Sequence, residues 1–266
     1  MAKRLHWPEY LIEAAGLGVF MVSACVFGTL LEDPASPLRQ HWASWLADPL
    51  VRRILMGLAM GLTAIAILYS PWGRRSGAHI NPAVTLSFWR LGRIGGTDAV
   101  AYVLAQFAGG TAGVLLSMVL AGPGLAAPTV RYVVTVPGTA GPAVAAVAEM
   151  LIGFAMMGTV LVLSSYPSLQ RFGGLACAIL LALYIAFESP LSGTSLNPAR
   201  TFASAAVAGV WTSAWLYFLA PPLGMLAAAE LHLRLHKARH VHGMHCATPP
   251  CASLHVREAM AAGHSH

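Results

Sequence analysis

The ten residues 76–85, Ser-Gly-Ala-His-Ile-Asn-Pro-Ala-Val-Thr, return at 192–201 as Ser-Gly-Thr-Ser-Leu-Asn-Pro-Ala-Arg-Thr, with six of the ten positions identical. Each copy leads into an apolar segment, Pro82 to Trp89 and Pro198 to Ala208, about half as long as the roughly 20 residues that cross a bilayer as a helix. Asn-Pro-Ala reads as a helix start in both. Asn is a strong N-cap, and Pro suits the first helical position because its missing N–H has no partner to lose there. Gly77 and Gly193 admit the extended or left-handed backbone that precedes such a cap. The chain must therefore seat two short helices with capped ends.

Composition fixes the solvent around them. The chain is 57% hydrophobic and 10% charged, against about 25% charged residues in a soluble domain. Six stretches, about 11–31, 51–70, 98–121, 143–165, 173–188 and 212–235, approach or reach the length of a span. Trp7, Tyr10, Trp42, Trp45, Trp211 and Trp215 cluster near their ends, where amphipathic rings favour the headgroup region. Lys3 and Arg4 precede the first run, but that run contains Glu13 and continues to Leu31, so it is expected to stay as a span rather than be cleaved.

The formal charge of +6 sits between the apolar runs or in the tail, without the aromatic-interleaved basic face of a nucleic-acid binder. With the N-terminus inside, the inner loops and tail hold Lys3, Arg4, Arg74, Arg75, Arg90, Arg93, Arg171, Arg234, Lys237, Arg239 and Arg257. The outer side holds Arg39, Arg52, Arg53 and Arg131. Both termini are expected to be cytoplasmic, in a plasma or inner membrane.

The first short segment follows span two and the second follows span five, so one re-enters from each face. Glu13 in span one and Glu149 in span four form a second echo. Three spans and a half-helix, duplicated with opposite topology, make an inverted repeat whose functional site lies near the midplane. The expected fold is an all-α membrane bundle of six spans and two re-entrant half-helices. Residues 1–10 form the cytoplasmic N-terminus and 11–236 the channel domain, with repeat one about 11–121 and repeat two about 143–235. Residues 237–266 are a His/Cys-containing tail.

If the two half-helices meet end to end, two positive dipole ends of roughly +0.5 charge each face one point. A cation is repelled there, while a neutral polar molecule can accept hydrogen bonds from the Asn81 and Asn197 amides. Irregular backbone at membrane depth lines a cavity or is buried in protein, so the carbonyls of Gly77, Ala78 and His79 and of Gly193, Thr194 and Ser195 are candidates for a ladder of acceptors.

With both Asn-Pro-Ala copies behind Ser-Gly, six spans and Gln106 in the third, residues about 5–236 resemble the aquaporin (major intrinsic protein) family. The resemblance implies a passive channel, a homotetramer with one pore per chain, and a pore centre at Asn81, Pro82, Ala83, Asn197, Pro198 and Ala199. It makes Arg200 the arginine of an outer constriction that excludes ions, and Glu13 and Glu149 the carboxylates that hold the re-entrant backbone. The remaining constriction positions fall on Met60 (with Met56, one turn earlier, as the fallback), Ile185 and Thr194. Water-selective members usually have an aromatic residue and a His where this chain has Met60 and Ile185. Thr201, Ala205, Tyr217 and Phe218 lean toward the water branch. The expected permeant is water, with passage of small neutral solutes. The alternative is an aquaglyceroporin-like channel mainly for glycerol, urea or ammonia.

Other features leave choices open. Glu188 reads either as a solvated charge at a helix end or as a vestibule charge. Cys25 and Cys177 lie in apolar runs and read as buried thiols. Eight of the eleven histidines, His232, His236, His240, His242, His245, His255, His264 and His266, lie toward the C-terminus with Cys246 and Cys251. They read as a solvated basic tail or a zinc site without a fixed finger spacing, so no metal ligand set and no cofactor is assigned. No nucleophile–base pair or phosphate-binding loop points to an enzyme. Beyond Glu13, Glu149, Arg200 and Glu230, the spans offer little for coupling an ion as an active transporter does.

Overall fold

A computed structural model of the protein describes residues 5–241, with side chains through Leu235. Helix α1 (Trp7–Glu32) is followed by a short α2 (Pro37–His41), then by α3 (Pro49–Tyr69) and a short α4 (Pro71–Ser76). The half-helix α5 (Pro82–Arg90) precedes α6 (Gly96–Ala121), which closes the first repeat. The second repeat runs through α7 (Pro142–Ser164), α8 (Gly173–Leu183), a single π turn over Tyr184–Glu188, α9 (Ser189–Ser192), the half-helix α10 (Pro198–Ala208) and α11 (Ala214–Val241). Among the described residues six helical segments are long and apolar enough to cross a membrane. The helices begin several residues before the apolar runs at α1 and extend past them at α11, because apolarity marks the part within lipid and not the whole helix.

Close approach between helices is made by glycine. In lipid, helices gain little by hiding apolar surface from their surroundings, so small residues that let backbones touch carry the packing. Gly109 and Gly113 of α6 face Ala14 and Gly18 of α1, and a Cβ at either would run into α1 backbone. Gly224 of α11 meets Met150 of α7 in the same way, the inverted counterpart of the α1–α6 pair. Gly57 and Gly61 of α3 meet Ala182 and Ala178 of α8, which joins the two repeats.

In the two largest core clusters each half-helix is packed by the opposite repeat. Ala199 and Ala203 of α10 are buried with Leu17, Met21 and Cys25 of α1 and Val114 of α6. Ala83 of α5 is buried with Ile152, Met157 and Leu161 of α7 and Met225, Ala228 and Ala229 of α11. This exchange brings the starts of α5 and α10 to the middle of the bundle.

Candidate functional site

The two half-helices meet at their caps. Asn81 Oδ1 accepts from Ala83 N at 2.8 Å, and Asn197 Oδ1 accepts from Ala199 N at 3.0 Å and Arg200 N at 3.2 Å. With the oxygen turned back onto its own helix, each amide nitrogen is left facing the other repeat. Asn81 Nδ2 donates to Leu196 O at 2.9 Å, and Asn197 Nδ2 donates to Ile80 O at 2.8 Å. One N–H of each amide closes this reciprocal pair, and each amide carries a second.

The loops ahead of the caps share one conformation. Gly77 and Gly193 have φ of 88° and 84°, Ala78 and Thr194 43° and 50°, and Ile80 and Leu196 40° and 56°. Positive φ in non-glycine residues costs on the order of 1–3 kcal/mol each, so something must hold these four. Glu13, fully buried, accepts from His79 N at 3.0 Å, Ile80 N at 2.6 Å, Ser76 Oγ at 2.8 Å and Gln106 Nε2 at 2.8 Å. Glu149, also fully buried, accepts from Ser195 N at 2.5 Å, Leu196 N at 2.8 Å and Ser192 Oγ at 2.8 Å. Hydrogen bonds to an ionised acceptor are about twice as strong as neutral ones, which offsets the strain in the loops.

This arrangement dictates where the carbonyls go. A trans peptide points its C=O opposite to its N–H. Holding the N–H groups of His79 and Ile80 on Glu13, and that of Ala78 on Ser76 Oγ at 3.1 Å, turns the carbonyls of Gly77, Ala78 and His79 the other way. Glu149 and Ser192, whose Oγ accepts from Thr194 N at 3.1 Å, do the same for Gly193, Thr194 and Ser195. Among the described residues no N–H or O–H donates to any of these six carbonyls.

Two cavities lie along this line. One of about 220 Å³ is lined by Gly193, Thr194 and Ser195 and by Met56, Met60, Ile185 and Arg200. The other, of about 330 Å³, is lined by Gly77, Ala78, His79, Asn81 and Asn197. They share Phe20, Leu181 and Ser195 and therefore abut. All four residues expected at the constriction thus lie on the first cavity, as does Met56, so the choice between Met60 and Met56 stays open. Arg200 Nη1 is buried without a hydrogen-bond partner, and among the described residues no carboxylate lies within ion-pair distance of its guanidinium.

Several supporting residues escape the sequence reading. Tyr102 and Tyr217 brace the serines that open the loops, through Ser76 O at 2.8 Å and Ser192 O at 2.5 Å. The repeated Ser-Gly and Thr were visible signals for the rest. Thr85 Oγ1 accepts from Gln106 Nε2 at 3.1 Å and lies 3.2 Å from His79 Nδ1. Its counterpart Thr201 lies 2.5 Å from Ser195 Oγ and 2.7 Å from Thr135 Oγ1 of the loop between the repeats.

Two expectations are corrected. Glu188 is neither a solvated helix end nor a charge on the outer cavity wall: its Oε1 is buried, and its Oε2 accepts from Thr194 Oγ1 at 2.5 Å. Cys177 is only partly buried and lines the second cavity, whereas Cys25 is fully buried. The tail histidines and cysteines from His236 onward lie outside the described side chains.

Comparison with known proteins agrees with this geometry. "Probable aquaporin AqpM" of Archaeoglobus fulgidus is 36% identical over 188 residues, covering 68% of this chain and 76% of that protein. "Aquaporin NIP1-4" of Oryza sativa subsp. japonica is 36% identical over 175 residues, covering 65% of this chain and 62% of that protein, so the match spans somewhat less than two thirds of the plant relative. The X-ray structure of the aquaglyceroporin from Plasmodium falciparum superposes with a TM-score of 0.72 over 88% of this chain and 98% of that one, at 15% identity, a likeness of fold. The family model for the major intrinsic protein (MIP) matches residues 7–232. With that match running from the first span into the last, the chain belongs to the major intrinsic protein family, whose aquaporins are membrane channels and not enzymes.

Proposed function

We propose that this chain is a passive channel for water that also passes small neutral solutes and excludes ions and protons. The observation that carries the reading is the reciprocal pair in which the Asn81 amide donates to Leu196 O and the Asn197 amide to Ile80 O. A water at that point accepts from the two remaining amide N–H groups, which turns its own hydrogens outward, toward the carbonyls of the two loops. Two helix N-termini and Arg200 make the same point costly for a cation. Arg200, with a buried Nη1 that has no hydrogen-bond partner among the described residues, supplies a hydrogen bond to the passing molecule.

A second reading, an aquaglyceroporin-like channel mainly for glycerol, urea or ammonia, is favoured by one feature. The outer cavity sets the apolar Met60 and Ile185 beside the polar Thr194 and Arg200, a wall suited to a solute with a carbon side and a hydroxyl side. We further propose that Met60, Ile185, Thr194 and Arg200 form the outer constriction, that both termini are cytoplasmic, that the membrane is a plasma or inner membrane, and that four copies assemble, each with its own pore.

Stopped-flow light scattering of reconstituted vesicles tests the reading. Osmotic shrinkage well above that of empty vesicles supports a water channel. Shrinkage equal to empty vesicles, with rapid glycerol re-entry, selects the second reading, and neither flux contradicts both.

A further inference from the structure

Among the described residues the fifth span carries the one π turn. The π turn Tyr184–Glu188 interrupts it, and Ile185 lies inside that turn. A π turn replaces the i to i+4 ladder by i to i+5 bonds, as between Ser189 N and Tyr184 O, and its carbonyls can take side-chain donors as well. Two consecutive ones receive side-chain donors: Ser189 Oγ donates to Ile185 O at 2.8 Å and Arg53 Nε of α3 donates to Ala186 O at 3.1 Å, while Thr194 Oγ1 lies 3.2 Å from Tyr184 O. Thr194 has one hydroxyl proton, and at 2.5 Å the Glu188 carboxylate takes it in preference to the carbonyl. The turn is therefore tied on one side to the second re-entrant loop and on the other to α3. Ile185, Thr194, Arg53 and Arg200 all line the same cavity of about 220 Å³.

We propose that Glu188 and Arg53 are specificity-determining positioning residues. They fix the spacing of Ile185 and Thr194 across the outer cavity and so decide which neutral solutes pass beside water. Glu188 acts through Thr194 and does not touch the permeant. Arg53 acts through the Ala186 carbonyl one residue beyond Ile185. The inference rests on the reading of this cavity as the constriction. Discrimination by a pocket responds to changes as small as one methylene, which are worth roughly tenfold or more, so a turn freed to shift by a fraction of an ångström is enough to be seen.

The test uses the full-length protein in vesicles and reads the ratio of glycerol to osmotic water permeability, in which the amount of inserted protein cancels. Glu188→Ala and the nearly isosteric Thr194→Val are each expected to raise the ratio about tenfold, the lower end of methylene-scale discrimination. Because both break one bond, the double variant is expected to show no more than the larger single effect. Arg53→Met is expected to raise the ratio by a separate, multiplying factor. Glu188→Gln, which keeps an acceptor for the Thr194 hydroxyl, is expected to retain the wild-type ratio. An unchanged ratio in Glu188→Ala and Thr194→Val, or single effects that multiply in their double variant, overturns the inference while the channel reading stands. A wild-type protein that conducts neither molecule overturns both.

Discussion

The hydroxyls of Tyr102 and Tyr217 donate to the backbone carbonyls of Ser76 and Ser192, the serines that open the two re-entrant loops. Both tyrosines are buried, at 1% and 0% exposure, and they lie on α6 and α11, the third spans of the two repeats. The bonds are thus one device used twice with inverted topology. Replacing either residue by Phe deletes a buried bond and leaves a carbonyl unpaired. Each of Tyr102→Phe and Tyr217→Phe is expected to cost about 1–2 kcal/mol. The loops share no partner for these bonds, so the double variant should show the sum to within roughly 0.5 kcal/mol. Thermal unfolding in detergent reads both values.

Glu149 holds its loop through three donors, and no other acceptor replaces it. Glu149→Leu strands the N–H groups of Ser195 and Leu196 and the hydroxyl of Ser192, at about 1–3 kcal/mol for each buried unpaired group. Loss of folded protein in the membrane is the expected outcome. Glu149→Gln retains one acceptor oxygen and should fold with lowered thermal stability and lowered water permeability. Equal yields and permeabilities for wild type and Glu149→Leu would remove the carboxylate from the account of loop strain.

Cys177 lines the cavity that Asn81 and Asn197 share, while Cys25 is fully buried in the core around α10. In a Cys246→Ser/Cys251→Ser background, mercuric ion is expected to lower osmotic permeability by reacting at Cys177, and Cys177→Ser to abolish the block. Thr194, in the proposed outer constriction, offers no thiol. Inhibition that survives Cys177→Ser would contradict the placement of α8.

Gly109 packs against Ala14 so closely that an added Cβ meets the α1 backbone, whereas a Cβ at Gly158 of α7 has nothing within 4 Å. Gly109→Leu is therefore expected to prevent accumulation of folded channel, since overpacking against immovable backbone costs about 1–3 kcal/mol or more. Gly158→Ala should be neutral or stabilising by up to about 1 kcal/mol. Detergent-soluble yield and melting temperature separate the two.

Much of this was legible in the chain because bilayer length and helix capping act on local sequence. Asn81-Pro82 and Asn197-Pro198 mark the half-helix starts, and the spacing of apolar runs marks the spans. The exchange of half-helices between repeats was not legible, since it depends on which buried alanines, Ala83 or Ala203, face which neighbour. The π turn was hidden for a different reason. Tyr184–Glu188 has the same apolar character as the α-helix before it, and its register is set by distant donors, Arg53 and Thr194. From residue type Glu188 reads as a solvated helix-end charge or a vestibule charge, whereas its surroundings are made by tertiary contacts. The tyrosines that brace the loops carry no motif, because any hydroxyl on the right helix face serves.

The central claim is that two capped helix ends, joined through Asn81 and Asn197, let water through and stop protons. Simultaneous recording of osmotic shrinkage and of an internal pH dye in the same reconstituted vesicles, under an imposed pH gradient, tests it directly. The account predicts water flux far above empty vesicles with proton flux no greater than theirs. Proton flux that rises in step with water flux as more protein is inserted would contradict it.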